Sequence, residues 1–121
     1  MVVRSLVVKL TVGADAPERA SQALTVAATG VASGLEVSLW LTGESAWFAT
    51  PGGADAIVLD HSAPATDLLA SVIAGGQVTL CTQCAARRGL TQDALIEGIR
   101  IAGAATFVQE ATAPDAQALV Y

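Results

Sequence analysis

Val78-Thr79-Leu80-Cys81-Thr82-Gln83-Cys84-Ala85-Ala86-Arg87-Arg88-Gly89 begins with four apolar or β-branched residues and then turns abruptly polar. The opening run is short and lies just past Gly75-Gly76, so it reads as a strand. Before the glycines, Ala65, Leu68, Leu69, Val72 and Ile73 fall on one helical face, opened by Ser62 and Pro64. The order is therefore helix, glycine break, strand, with two cysteines at the carboxyl end of the strand.

The same alternation extends in both directions. Ser5 to Val12 is β-branched and alternates poorly, as a strand covered on both faces does, and Gly13 bounds it. Asp15 is placed to cap a helix with Pro17 in its first turn and Glu18 near its positive end. Its apolar stripe, Ala20, Ala23, Leu24, Ala27, Ala28 and Val31, is mostly alanine, and Gly34 stops it. Glu36 to Leu41 reads as a second strand, with Thr42 as cap for a short helix from Glu44 to Ala49 that Pro51-Gly52-Gly53 ends. Ala56 to Leu59 reads either as an edge strand or as irregular chain. Downstream, Thr91 caps a brief helix through Glu97, Ile99 to Ile101 is a very short strand, and Gly103 leads into a helix to about Ala111. Pro114-Asp115 turns the chain into a final strand from Ala118 to Tyr121. Strands alternating with helices imply a mostly parallel sheet with helices on both faces, a three-layer α/β/α domain spanning residues 1–121.

Composition narrows the class. The 121 residues suffice for one domain, and 53% hydrophobic against 14% charged residues excludes intrinsic disorder. Alanine supplies 25 positions, Lys9 is the single lysine, and asparagine is absent. So few charges would leave a lone domain with apolar surface in water, which points to self-association. The six basic and eleven acidic residues give a net charge of −5, and no basic run occurs, so a grip on nucleic-acid backbones is not expected. No apolar run reaches membrane-spanning length, and Met1-Val2-Val3-Arg4-Ser5 lacks the head of a signal peptide. The expectation is a soluble, cytoplasmic protein without a membrane partner.

In that compartment Cys81 and Cys84 suggest redox or sulfur chemistry more than a structural staple. Reactive groups gather at the carboxyl ends of strands in open α/β sheets, and this spacing lets two sulfurs meet across one turn. Arg87 and Arg88 follow closely, and a nearby cation favours the nucleophilic thiolate. The bland alternatives are a buried, inert cysteine and arginines engaged in surface or inter-subunit ion pairs. Cys81, held by the strand, is expected to be the shielded sulfur. Cys84, a turn further out in a polar loop, is expected to be the accessible first acceptor. Two cysteines and one distant histidine do not make a zinc site. His61 reads as a solvated or capping residue, and Trp40, Trp47 and Phe48 as core or interface anchors. No glycine-rich phosphate loop, serine–histidine–acid set or carboxylate pair occurs, so no cofactor and no metal are expected.

Val78 to Cys84, followed by Arg88-Gly89-Leu90 and then Leu95-Ile96-Glu97-Gly98-Ile99-Arg100-Ile101-Ala102-Gly103, resembles the DsrE/DsrF-like family, and within it the YchN-like branch. The resemblance implies a parallel five-stranded sheet between helices, assembled into homotrimers or homohexamers. It also implies sulfur relay, in which a cysteine carries a persulfide received from a donor protein and passes it to an acceptor. Relay members often have one cysteine near this place, whereas this chain has a pair. Three functions stand open on the sequence: a persulfide carrier or sulfurtransferase-like relay through Cys81 and Cys84; a non-catalytic oligomeric binding module with redox-sensitive cysteines; and, more remotely, a disulfide reductase.

Overall fold

Among the described residues five strands alternate with four α-helices: β1 (Ser5–Leu10), α1 (Pro17–Ala32), β2 (Glu36–Leu41), α2 (Ala65–Gly75), β3 (Gln77–Cys81), α3 (Thr82–Arg87), β4 (Ile99–Ala102), α4 (Ala104–Ala111) and β5 (Ala116–Val120). The computed structural model describes residues 4–121; Met1-Val2-Val3, part of the segment read for a signal peptide, lie outside the described residues. The strands form one sheet in the order β4-β3-β2-β1-β5, and every pairing is parallel. All five carboxyl ends therefore share one edge of the sheet.

Side chains alternate between the two faces of each strand, and the faces differ in chemistry. Leu6, Val8, Leu10, Val37, Leu39, Leu41, Val78, Leu80 and Ile99 build the first face and are buried. Helices α1 and α2 cover it. The alanine stripe lets α1 approach closely: Ala20, Ala23 and Ala27 are fully buried. At Gly30 an added Cβ would come within 2.9 Å of Val37 Cγ2 and 3.0 Å of Leu6 Cδ2. Leu24, also fully buried, contributes about 1.5–3 kcal/mol from its removal from water.

The second face carries Ser5, Val7, Lys9, Ser38, Trp40, Gln77, Thr79, Cys81 and Arg100, and α4 packs on it. Polar contacts do much of that docking. Glu110 Oε1 accepts from Ser38 Oγ at 2.5 Å and from Trp40 Nε1 at 2.9 Å, while Arg100 pairs with Glu110 Oε2 and donates to Thr79 Oγ1 at 2.7 Å. Phe107 meets Trp40 edge-on, with centroids 5.5 Å apart. Burial alone would push the Glu110 carboxyl up. The hydrogen bonds from Ser38, Trp40 and Arg100, with the charge of Arg100, outweigh it and hold the carboxyl below its usual range.

Several local expectations change. Asp15 does not cap α1; its carboxylate turns back to accept the Gly13 N–H at 2.8 Å, leaving Ala16 at the N-cap. Thr42 does stand at the N-cap, its N–H donating to Ser45 Oγ at 2.8 Å while its hydroxyl goes to the Leu10 carbonyl at 2.8 Å, but the helix after it is a 3-10 helix, Gly43–Ala49. Ala56 to Leu59 is no edge strand. A 3-10 turn, Gly53–Ala56, runs into irregular chain that buries Ile57 and leaves Val58 84% exposed, and the sheet's edges are already β4 and β5. Likewise Ser62 does not cap α2, which starts after Pro64, and the helix expected from Thr91 to Glu97 shrinks to one turn, Gln92–Ala94. Trp40 and Phe48 are buried, whereas Trp47 is 42% exposed.

The loops after β1 and β2 press together at the carboxyl edge. A Cβ on Gly13 would lie 2.5 Å from the Glu44 carbonyl oxygen, and one on Gly43 would collide with the Thr11 carbonyl oxygen. Gly43 also has φ +55, where L side chains are strained. Gly34, at φ +84, has open space around it. Gly34→Ala is therefore expected to cost only the left-handed penalty, about 1–2 kcal/mol. Gly43→Ala carries the collision as well and is expected to cost clearly more. Urea denaturation of both variants checks the order, and equal midpoints would contradict it.

Candidate functional site

Cys81 is the last residue of β3 and the N-cap of α3, with φ −60 and ψ 131, so the chain passes from strand to helix at the sulfur-bearing residue itself. Cys84 sits on the first turn of α3, three residues on. The helix, read from sequence as a polar loop, forms across Thr82–Arg87 and ends where Leu90 N–H reaches back to the Ala85 carbonyl at 2.9 Å. Both thiols are free.

Their exposure is the reverse of the sequence expectation. Cys84 is 8% exposed and belongs to the apolar core, while Cys81 is partly exposed. The helix explains the inversion. Rolling the chain into α3 turns residue 84, with Ala85, inward against the first-face core, whereas Cys81 stays on the second face in line with Gln77 and Thr79. The Cys84 sulfur also accepts the Gly43 N–H at 3.2 Å, which ties α3 to the tight turn after β2.

The electrostatics of Cys81 come from unexpected groups. Partial burial alone would raise its thiol. The amides of Cys84 and Gln83, the Cys84 thiol beside it and the positive charge of Lys9 outweigh that and hold it below the usual thiol range. The two amides act on the sulfur without closing a formal cap hydrogen bond. Arg87 and Arg88, expected to stabilise the thiolate, are placed otherwise. Arg88 pairs with Glu44 at 2.9 Å and donates to the Cys84 carbonyl at 3.2 Å, so it fastens α3 to the turn after β2. Arg87 is exposed. Neither is among the groups that lower the Cys81 thiol.

Lys9 was missed by sequence reasoning because it is distant in the chain. The register brings it in: Lys9 pairs with Trp40 and Trp40 with Thr79, so Lys9 and Cys81 share the second face near the carboxyl edge. Its Nζ lies 5.1 Å from the centre of the Phe107 ring, a cation–π contact that limits where the charge can wander. His61 lies exposed in a turn, with φ +60.

The site is open. Two cavities of about 430 and 450 Å³ lie elsewhere, one against Ser38, Arg100 and Glu110 and one against Ser21, Leu59 and Tyr121, and neither is lined by a cysteine. Among the described residues no group of three or more His, Cys, Asp or Glu could hold a metal ion, and no helix is long and apolar enough to cross a membrane.

Residues 5–117 match the model of the DsrE/DsrF-like family. The chain belongs to that family. None of the curated proteins matches it. Among solved structures, this DsrE/DsrF-like chain is similar to the ychN protein from E. coli, with 20% identity, 98% of this chain and 100% of the other covered, and a TM-score of 0.80. It is also similar to a protein of unknown function from Methanobacterium thermoautotrophicum, with 10% identity, 97% and 98% coverage, and a TM-score of 0.63. At these identities the likeness concerns the fold: a five-stranded parallel sheet with helices on both sides, as the motifs implied.

If Lys9 supports the ionised sulfur, Lys9→Met is expected to move the pH midpoint of Cys81 alkylation upward, while Arg87→Ala leaves it in place. Both are measured with Cys84 replaced by serine. A midpoint that follows Arg87 and ignores Lys9 would restore the arginine account.

Proposed function

We propose that this DsrE/DsrF-like protein is a sulfur carrier in which Cys81 accepts sulfane sulfur as a persulfide. The observation that carries the reading is the position of Cys81: partly exposed at the carboxyl edge of the sheet, with its thiol held low by two amides and Lys9. The Cys81 thiolate attacks the outer sulfur of a donor persulfide, the donor's S–S bond breaks, and the donor leaves as a thiolate. The sulfane sulfur keeps its oxidation state, and hand-off to an acceptor thiol is the same exchange in the other direction. A partly exposed cysteine at the edge of the sheet suits donors and acceptors that are themselves proteins, and a carrier of this kind need not turn over a substrate as an enzyme does. The reading includes a reducing, cytoplasmic setting in which both thiols stay free.

Burial of Cys84 makes it a poor first acceptor, because exchange needs access to the attacking sulfur. After treatment with inorganic polysulfide and desalting, Cys84→Ser is expected to gain one sulfur atom by mass spectrometry and Cys81→Ser none. Loading that survives loss of Cys81 would return the acceptor role to Cys84. No loading of either variant would favour a binding module whose cysteines are merely redox-sensitive.

Self-association to a trimer or hexamer is part of the same proposal. It is supported by a second sheet face on which, among the described residues, the eight-residue α4 packs, and by Val108 and Val120, 54% and 65% exposed. Light scattering at micromolar concentration is expected to give three or six chain masses, and a stable single-chain mass would count against assembly.

A further inference from the structure

The carrier reading uses one sulfur and leaves the second unexplained. Cys84 is walled off from external donors yet lies beside Cys81. Its position is fixed from two directions: the Gly43 N–H binds the sulfur itself at 3.2 Å, and Arg88 binds the residue's carbonyl while pairing with Glu44 on the same turn. A largely buried thiol held beside its neighbour is better placed to react with that neighbour's sulfur than with an external donor.

We infer that Cys84 discharges a persulfide formed on Cys81, attacking the inner sulfur to close a Cys81–Cys84 disulfide and expelling the outer sulfur as hydrosulfide. The new bond joins the two side-chain sulfurs, and the bond between Cys81 Sγ and the outer sulfur breaks. Cys81 Sγ exchanges one S–S bond for another and keeps its oxidation state, Cys84 Sγ is oxidised from thiol to disulfide, the outer sulfur is reduced to sulfide, and the proton of Cys84 goes to the leaving sulfide or to water. The persulfide is the oxidant, so no external one is needed. The spacing across one turn is compatible with a disulfide. The loaded state would thus have a limited lifetime, set by competition between a docking acceptor thiol and Cys84. A dithiol reductant must then restore the pair, which places a thiol–disulfide exchange reaction immediately after discharge.

This inference rests on the carrier reading, and one experiment separates the two. Reduced wild type, Cys84→Ser and Cys84→Ala are loaded with inorganic polysulfide, desalted, and followed by intact mass and by hydrosulfide release. Wild type is expected to end two hydrogens lighter than its reduced form, having released one hydrosulfide per loaded chain. Both variants are expected to stay one sulfur heavier, with a persulfide lifetime longer by roughly tenfold or more, until dithiothreitol is added. A wild type that keeps its extra sulfur as long as both variants overturns the discharge step and leaves the carrier intact. Variants that never load overturn the carrier reading and the discharge with it.

Discussion

The turn after β2 crosses the chain after β1 with no room for a side chain at the crossing. Gly43 accepts a left-handed backbone against the Thr11 carbonyl, and Gly13 faces the Glu44 carbonyl in the same way. That contact sets the carboxyl edge of the sheet, and the site hangs from it. The Gly43 N–H reaches the Cys84 sulfur, the Glu44 side chain reaches Arg88, and Arg88 closes on the Cys84 carbonyl. Helix α3 has six residues, too few for isolated helical stability, so its placement comes from these ties and from burial of Cys84 and Ala85.

The two faces of the sheet divide the labour. The first packs aliphatic strands against α1 at alanine distance and supplies the apolar stabilisation. The second face is mixed. It holds the aromatic pair of Trp40 and Phe107, the carboxylate of Glu110 between Arg100 and two neutral donors, and at its carboxyl end the lysine and the partly exposed cysteine. The partly exposed cysteine and the weaker packing thus share a face. Reactive sulfur needs access, and a fully covered face would deny it.

Much of this was legible in the chain. The three layers, the parallel sheet and the place of the cysteines followed from alternating periodicities and glycine breaks, which report local geometry directly. What failed depended on how many residues a short polar segment folds into a turn. Thr82–Arg87 read as loop because no apolar period is visible in six residues, and that one error inverted the exposure of Cys81 and Cys84. Asp15 has the chemistry of a cap, but a backbone amide behind it competed successfully for its carboxylate. Lys9 could not be found from sequence at all. Its relation to Cys81 exists only through strand register, which the hydrophobic pattern of two doubly covered strands leaves undetermined. Arg87 and Arg88 were attractive because they were near in the chain, and nearness in the chain proved a poor guide to which cation faces the sulfur.

Helix α4 has no fully buried residue, and its hold on the sheet runs largely through Glu110. A carboxylate held below its ordinary titration range stabilises the folded state above the unfolded group's value, and that contribution disappears as acidity rises through the folded one. Acid strong enough to titrate a carboxyl below the ordinary carboxylate range therefore weakens the hold of this helix, while the aliphatic layer under α1 and α2 carries no such charge. The outer layer is anchored largely by charge, over a base anchored by apolar packing. The same helix carries Phe107 over Lys9, so its docking also helps set where the ammonium stands on the face that bears Cys81.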